Sequence, residues 1–290
     1  MLGLRLDGTF NRLSSASPRG GLAHSRATCR VTTAGSHDRN RRELLRAGAV
    51  GLTAAPLISA AARAPRSAPI GAVAFDAFAI FDPNAVFAAA AAGYPEQDAK
   101  FWRAWFQALF ADTWLRTSAH RYRPFIDVAA SRLDRACQTV NLAPRPHARD
   151  QVLEAFSTLT VWPDVADQLG GLRACGLRLA LLSNLSQPTQ RANIRRNGLD
   201  GLFETALSTD LVRAFKPAPA AYALAMSAFG LPKRDIGFAA FAPWDAAGAA
   251  WFGYPTAWVN RQAQPAEPDA PAVLIGRDLN IVLQLARRTV

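Results

Sequence analysis

The chain has 290 residues, half of them hydrophobic, and a formal charge of +11. That length can bury a sizeable core and leaves room for more than one small domain. A uniformly basic face for nucleic acid is excluded by where the charge sits: residues 1–64 hold ten arginines against three acids (Asp7, Asp38, Glu43), which leaves +4 for residues 65–290, with no dense Lys/Arg run.

In chain order, the first element is the basic leader. Arg41-Arg42 precedes a mildly apolar stretch, residues 47–62, ending in small residues that suit a signal peptidase near Ala62 or Ala64. Paired arginines before a weak apolar segment resemble a twin-arginine export signal, predicting a leader over 1–66 and a periplasmic or secreted bacterial protein. The alternative is a basic tail with an incidental arginine pair. The stretch is shorter than the roughly 20 apolar residues a membrane span needs, so no stable span is expected. Residues 1–38 are long for the segment before the arginines, which puts the expected start downstream of Met1, at a non-Met codon, since the only other methionine is Met226. Cys29 would leave with the leader. Cys137 and Cys175 are expected as two buried free thiols, because two distant cysteines do not establish a bridge. His24, His37, His120 and His147 have no metal-ligand spacing and are expected at the surface.

Next comes an apolar run of strand length from Ile70 to Phe75, which ends abruptly in Asp76. A carboxylate that close to a core is costly unless paired, so a cation has to arrive from elsewhere in the chain. Residues 84–160 carry no strand signal and are expected to form an all-helical insert over 83–160, with helices near 97–120, 125–141 and 146–159. The first carries an apolar stripe, mostly aromatic, at spacings of three and four (Phe101, Trp102, Trp105, Phe106, Leu109, Phe110, Trp114). Such a stripe packs helices together, and part of it is free to line a pocket over Asp76. From Pro163 onward short strands alternate with helices: strands 177–184, 203–208, 236–240 and 256–260, helices 164–175, 189–198, 218–229 and 245–252. This alternation predicts an α/β doubly wound parallel sheet built from residues 67–82 and 161–290. Sites in such sheets lie beyond the carboxyl ends of the strands, where Asp76, Ser183, Asn184, Lys216 and Asp245 fall. Lys216 is the candidate cation.

These residues together resemble a known family. Phe75-Asp76-Ala77-Phe78-Ala79-Ile80-Phe81-Asp82, Leu182-Ser183-Asn184, Lys216-Pro217 with Tyr222, and Trp244-Asp245-Ala-Ala-Gly248 are similar, in order, to motifs of the haloacid dehalogenase superfamily, most of all its L-2-haloacid dehalogenase branch. Thr113-Trp114-Leu115-Arg116 and Trp258-Val259-Asn260-Arg261 are also like that branch. The resemblance implies a Rossmann-like core with a helical cap and hydrolytic dehalogenation of a small 2-haloalkanoic acid. Asp76 would attack the halogen-bearing carbon and form an ester. Lys216 would keep it ionised and offset Asp245. Water would cleave the ester with help from Asp245. Ser183, Asn184 and main-chain amides after Asp76 would hold the substrate carboxylate, and Tyr222 would support the site. The resemblance implies no metal or other cofactor and leaves room for a homodimer. Phe78 stands where the superfamily's phosphatases carry an acid, and Phe241 where they usually hold a metal-binding acid, which disfavours phosphoryl transfer.

The chain also departs from the branch. Ala79-Ile80 replaces Gly-Thr, Ala240 and Ala242 fall where a Ser and an Asn are usual, and Leu185 replaces the glycine of Ser-Asn-Gly. The branch's substrate-binding arginine follows a tryptophan in the first cap helix. Ungapped matching puts that position at Phe106 after Trp105, and a three-residue insertion puts it at Arg103 after Trp102. Three readings stay open: a working dehalogenase with a more apolar pocket, a hydrolase of another small substrate on the same charged frame, and a non-catalytic binding protein. The buried acid pair speaks for the first two, the lost polar groups for the third.

Overall fold

The computed structural model describes residues 70–271 and 273–288. The twin-arginine segment, Cys29, His24 and His37 lie outside the described residues. The chain enters strand β1 (Ala72–Phe75), turns through the short helix α1 (Ala77–Ile80) and reaches β2 (Phe81–Asp82). Four helices follow, α2 (Asn84–Gly93), α3 (Ala99–Ser118), α4 (Phe125–Thr139) and α5 (Pro146–Glu154), before β3 (Thr160–Val161) returns. Then come α6 (Val165–Ala174), β4 (Arg178–Ser183), α7 (Gln187–Arg196), β5 (Thr205–Ser208), α8 (Pro219–Phe229), β6 (Ile236–Ala240), α9 (Pro243–Phe252), β7 (Thr256–Val259), β8 (Leu274–Gly276) and α10 (Asn280–Arg288).

The main sheet has six strands in the order β5-β4-β1-β6-β7-β8, and every neighbouring pair is parallel. The expected α/β sheet is therefore observed. Its side chains alternate between two cores, as strand geometry requires. Val73, Phe75, Leu179 and Leu181 face one side, with Leu169 and Leu172 of α6 and Ile281, Val282 and Leu285 of α10. Ala72, Ala74, Ala180 and Leu182 face the other, with Tyr222, Ala225 and Phe229 of α8 and Ala246 and Ala249 of α9. Phe75 lies opposite Leu181 of β4 and Ala239 of β6, so the residue after it emerges from the centre of the sheet.

Helix ends follow local chemistry. Asp98 caps α3 by accepting from the N–H groups of Lys100 and Phe101 at 3.0 and 2.9 Å. Ser186 caps α7 by accepting from Thr189 N, and Gly230 ends α8 in the left-handed conformation at φ 65°. In the cap, α2 and α5 approach so closely that a Cβ at Gly93 would sit 2.8 Å from the Ala148 Cβ. No described helix is long and apolar enough to cross a membrane.

Three details differ from the sequence reading. The helical insert is closed at its base by a ribbon, β2 paired antiparallel with β3 (Phe81 opposite Val161, Asp82 opposite Thr160). Two-residue strands are too short to leave a period-two signature. β8 and α10 extend the fold beyond the last expected strand. Cys175 is exposed, whereas Cys137 is buried and both are free. Cys175 stands at the C-cap of α6, just before Gly176 at φ 80°, where the chain swings outward. His120 and His147 are exposed.

Candidate active site

Asp76 is the first residue past β1. Its N–H donates to Ala239 O of β6 at 2.9 Å, which fixes it to the end of the sheet. It is also the N-cap of α1, its Oδ2 accepting from Phe78 N at 3.1 Å. An apolar run ending in aspartate thus becomes a strand followed by a capped turn, with the carboxylate held at the carboxyl edge. The turn is braced from behind. Trp162 Nε1 donates to Phe78 O at 3.0 Å, and Arg261 donates to Ala79 O at 3.0 Å while pairing with Asp164 at 2.8 Å. Burial would raise the Asp164 pKa, but Arg261 and the N–H of Leu279 outweigh it and hold the carboxyl below its ordinary range.

The cation anticipated from the sequence is Lys216. Its Nζ lies 2.8 Å from Asp76 Oδ1 and 2.8 Å from Asp245 Oδ2, with the side chain 1% exposed. The ring of Phe238 lies beneath it, 5.3 Å away. Tyr222 donates to Asp245 Oδ1 at 2.7 Å, and Tyr254 donates to Tyr222 O. Burial works against a charged Lys216, yet the carboxylates of Asp245 and Asp76 outweigh it, and the pKa is raised. Burial pushes the Asp245 carboxyl up to about 6, against Lys216, with Asp76 adding repulsion. Burial and then Asp245 hold the Tyr222 hydroxyl well above its ordinary value, so it stays a donor. Gly248, one turn beyond Asp245 on α9, permits this packing, since a Cβ there would lie 2.6 Å from Tyr222 Oη and 2.7 Å from Pro217 Cβ.

Ser183 and Asn184 lie at the end of β4, both buried. Asn184 Oδ1 accepts from Lys216 N at 3.1 Å, which fixes the orientation of the amide. Its Nδ2 is buried without a partner among the described residues, and Asn184 lines the cavity. Ser183 Oγ accepts from Leu185 N at 3.1 Å, and buried Gln190 donates to Leu185 O and Leu207 O, anchoring the loop.

Above Asp76 opens a cavity of about 650 Å³ between the strand ends and α3. Its wall is aromatic. Phe106 contacts Phe78, Phe87 and Phe110 at centroid distances of 6.0, 5.1 and 5.1 Å. Phe78 meets Phe241 at 6.1 Å, and Trp244 meets Phe110 at 5.4 Å and Trp114 at 5.5 Å. Both halves of the expected stripe are present. Trp102, Phe106, Phe110 and Trp114 line the cavity, while Leu109 and Trp105 pack into the cap. Trp105, a candidate for substrate contact, is not among the lining residues. Arg103 and Phe106 both line the cavity, because positions three apart share a helical face. Among the described residues the Arg103 side chain has no hydrogen bond or ion pair, and it is the sole cation lining the cavity, as Asp76 is the sole acid.

The sequence reading missed the braces: Trp162, Asp164, Gln190 and Thr117. Thr117 Oγ1 of α3 accepts from Phe215 N at 3.0 Å, tying the cap to the residue before Lys216. The Tyr122 ring meets Phe215 at 4.7 Å, and its hydroxyl donates to Asp210. Arg261 stood within a recognised motif, but its target did not. Ile80 and Ala240, two of the apolar replacements, are fully buried and do not line the cavity, whereas Ala242 does.

A family model described as haloacid dehalogenase-like hydrolase matches residues 53–253. The chain is 35% identical over 193 residues to haloacetate dehalogenase H-2 of Moraxella sp. (strain B), covering 66% of this chain and 86% of that protein. The crystal structure of an L-2-haloacid dehalogenase, RSc1362, is similar with a TM-score of 0.72 at 36% identity, over 76% of this chain and 99% of that one. The L-2-haloacid dehalogenase of Xanthobacter autotrophicus, with chloropropionic acid covalently bound, matches with a TM-score of 0.69 at 28% identity, over 75% and 98% of the two chains.

Proposed function

The chain belongs to the haloacid dehalogenase-like hydrolase family, and from that premise we propose that it hydrolyses the carbon–halogen bond of a 2-haloalkanoic acid through an ester on Asp76. The observation that carries this reading is the Asp76–Lys216–Asp245 cluster at the end of β1, open to a cavity on the Asp76 side alone.

An Asp76 oxygen attacks the carbon bearing the halogen, the carbon–halogen bond breaks, and the halide leaves with the bonding pair. Lys216 on Oδ1 and the N–H of Phe78 on Oδ2 hold the Asp76 carboxylate in place for that attack. Water then adds to the Asp76 carbonyl carbon, and collapse returns the carboxylate and releases a 2-hydroxy acid and a proton. Asp245 is linked to Asp76 through a single Lys216 Nζ. Once Asp76 is esterified it no longer shares that ammonium, and Asp245 is the remaining anion able to draw the proton from water. Asn184 Nδ2, the hydroxyl of Ser183 and the guanidinium of Arg103 hold the substrate carboxylate. Phe106 supplies apolar contact on the same helical face, and Tyr222 keeps Asp245 in place.

The test is Asp76-dependent chloride release from (S)-2-chloropropionate by the full chain, with a single turnover in ¹⁸O-water. Label entering Asp76 supports the ester. Label appearing only in the product, with Asp76 unlabelled, sinks it. The same reading includes export through the Arg41-Arg42 signal, checked by fractionating cells that carry Arg41→Lys/Arg42→Lys, and a homodimer, checked by sedimentation.

A further inference from the structure

We propose that the preferred substrate is a 2-halo acid whose side chain ends in an aromatic ring, of the 2-halo-3-arylpropionate kind; this deepens the dehalogenation reading and rests on it. Size is the first argument. The cavity holds about 650 Å³, the space of about 20 waters at roughly 30 Å³ each, and lies in the range that encloses drug-sized ligands. A three-carbon halo acid occupies a small part of it. The rest would be water against an apolar wall, which is unfavourable.

The chemistry of the wall is the second argument. Phe78, Phe106, Phe110, Phe241 and Trp244 form a chain of ring contacts with centroids 5.1 to 6.1 Å apart. Their interplanar angles run from 49° to 75°, so neighbouring rings meet tilted or edge to face. A phenyl group completes such an arrangement with edge-to-face contacts that an alkyl chain does not make. The chain of rings begins two residues from Asp76 and runs along α3 and the start of α9. An acid whose α-carbon lies at Asp76 therefore directs its side chain along the rings. Ala242, the residue before α9, adds only a methyl and keeps that path open. The unpartnered Asn184 Nδ2 and the unpaired Arg103 side chain both line the cavity and suit a carboxylate.

The test compares Asp76-dependent halide release by the full chain from (S)-2-chloropropionate and (S)-2-chloro-3-phenylpropionate. In parallel, the unfolding midpoint is followed with propionate and with 3-phenylpropionate, which carry no halogen. The expected result is a kcat/KM about tenfold or more higher for the aryl acid, and a saturable midpoint rise with 3-phenylpropionate alone. Phe106→Leu, checked as folded by its own midpoint, lowers the aryl-to-methyl ratio. A ratio of one or less, with chloride released from both acids, overturns the aromatic preference and leaves dehalogenation standing. No release from either acid, with the 3-phenylpropionate shift present, overturns dehalogenation and leaves the aromatic-acid pocket. No release and no shift overturn both.

Discussion

The floor and the wall of the cavity are built on opposite principles. The floor is charged and closed: each oxygen of Asp76 and Asp245 has a hydrogen-bond donor, and Lys216 sits between them, 1% exposed. The wall is largely apolar and open: its rings touch each other, amides such as Gln107 and Gln264 stand beside them, and the side chain of its one cation, Arg103, pairs with nothing among the described residues. A closed charged cluster tolerates few substitutions, because removing one member leaves the others buried and uncompensated. An apolar wall tolerates repacking, because contacts between rings exchange for one another at modest cost. Floor variants should therefore abolish turnover or folding, and wall variants should redirect turnover.

The largest expected effect is on the floor. Asp76→Asn should lower kcat/KM for halide release by about 10³-fold or more, since the amide cannot form the ester. Its unfolding midpoint should hold or rise, because Asp245 keeps Lys216 to itself and loses a repelling neighbour. A fall in midpoint would mark Asp76 as structural. Lys216→Met comes next. It leaves two facing carboxylates without their cation and should cost about 3–5 kcal/mol of stability, read by denaturant titration. A loss under 1 kcal/mol would mean the cluster is not held as described.

Acidity separates the two faces of the floor's design. Asp245 has a pKa of about 6 in the fold against an ordinary 3.8. Turnover that needs the Asp245 anion should fall about tenfold per pH unit below that value, as one macroscopic step of the coupled cluster. Stability moves the other way. A carboxyl with a raised folded pKa contributes stability below 3.8 that is lost as pH rises through about 6. Asp245→Asn should remove both dependences. A pH–rate profile flat from 5 to 7 would exclude the role assigned to Asp245.

On the wall, Arg103→Gln should raise KM about tenfold with a smaller change in kcat, since it removes a charge that holds substrate and leaves the ester chemistry alone. A kcat loss as deep as that of Asp76→Asn would erase the distinction between the two regions. The smallest effect is at their junction. Thr117→Val leaves Phe215 N without its acceptor and should cost about 1–2 kcal/mol. It should slow turnover several-fold through Lys216, and an unchanged kcat would show that the cap and the lysine loop are independent.

The floor was legible in the sequence for the same reason that it is intolerant. A carboxylate ending an apolar strand demands a cation, and few lysines stand in the α/β region to supply one. Strand ends converge in a parallel sheet, so residues distant in sequence could be assigned to one edge. The wall was only half legible. Helical spacing groups Trp102, Phe106 and Phe110, but periodicity does not say which part of a broad face meets a cavity, and Trp105 packs into the cap instead. Arg103 and Phe106 appeared as rival alignments because a linear match admits one residue, while a helix presents both. The braces Trp162 and Thr117 act through main-chain partners, which leave no trace in side-chain pattern, and Asp164 acts through Arg261, nearly a hundred residues away in sequence. α10 could have been found from the spacing of Ile281, Val282 and Leu285. β8 has three residues, none of them fully buried, and gave little to find.

The β2–β3 ribbon has one more consequence. The helical stretch leaves the core at Asp82 and returns at Thr160, residues that face each other across the ribbon. The six-stranded ladder is not interrupted between those points. The stretch is therefore a cassette with adjacent termini, and another insert could replace it by recombination without shifting the register of β1 against β4 or β6. Exchanging that one contiguous block would rebuild the cavity wall and leave the strand ends of the floor in place, with the Thr117 bond to Phe215 N as the contact a replacement has to supply again.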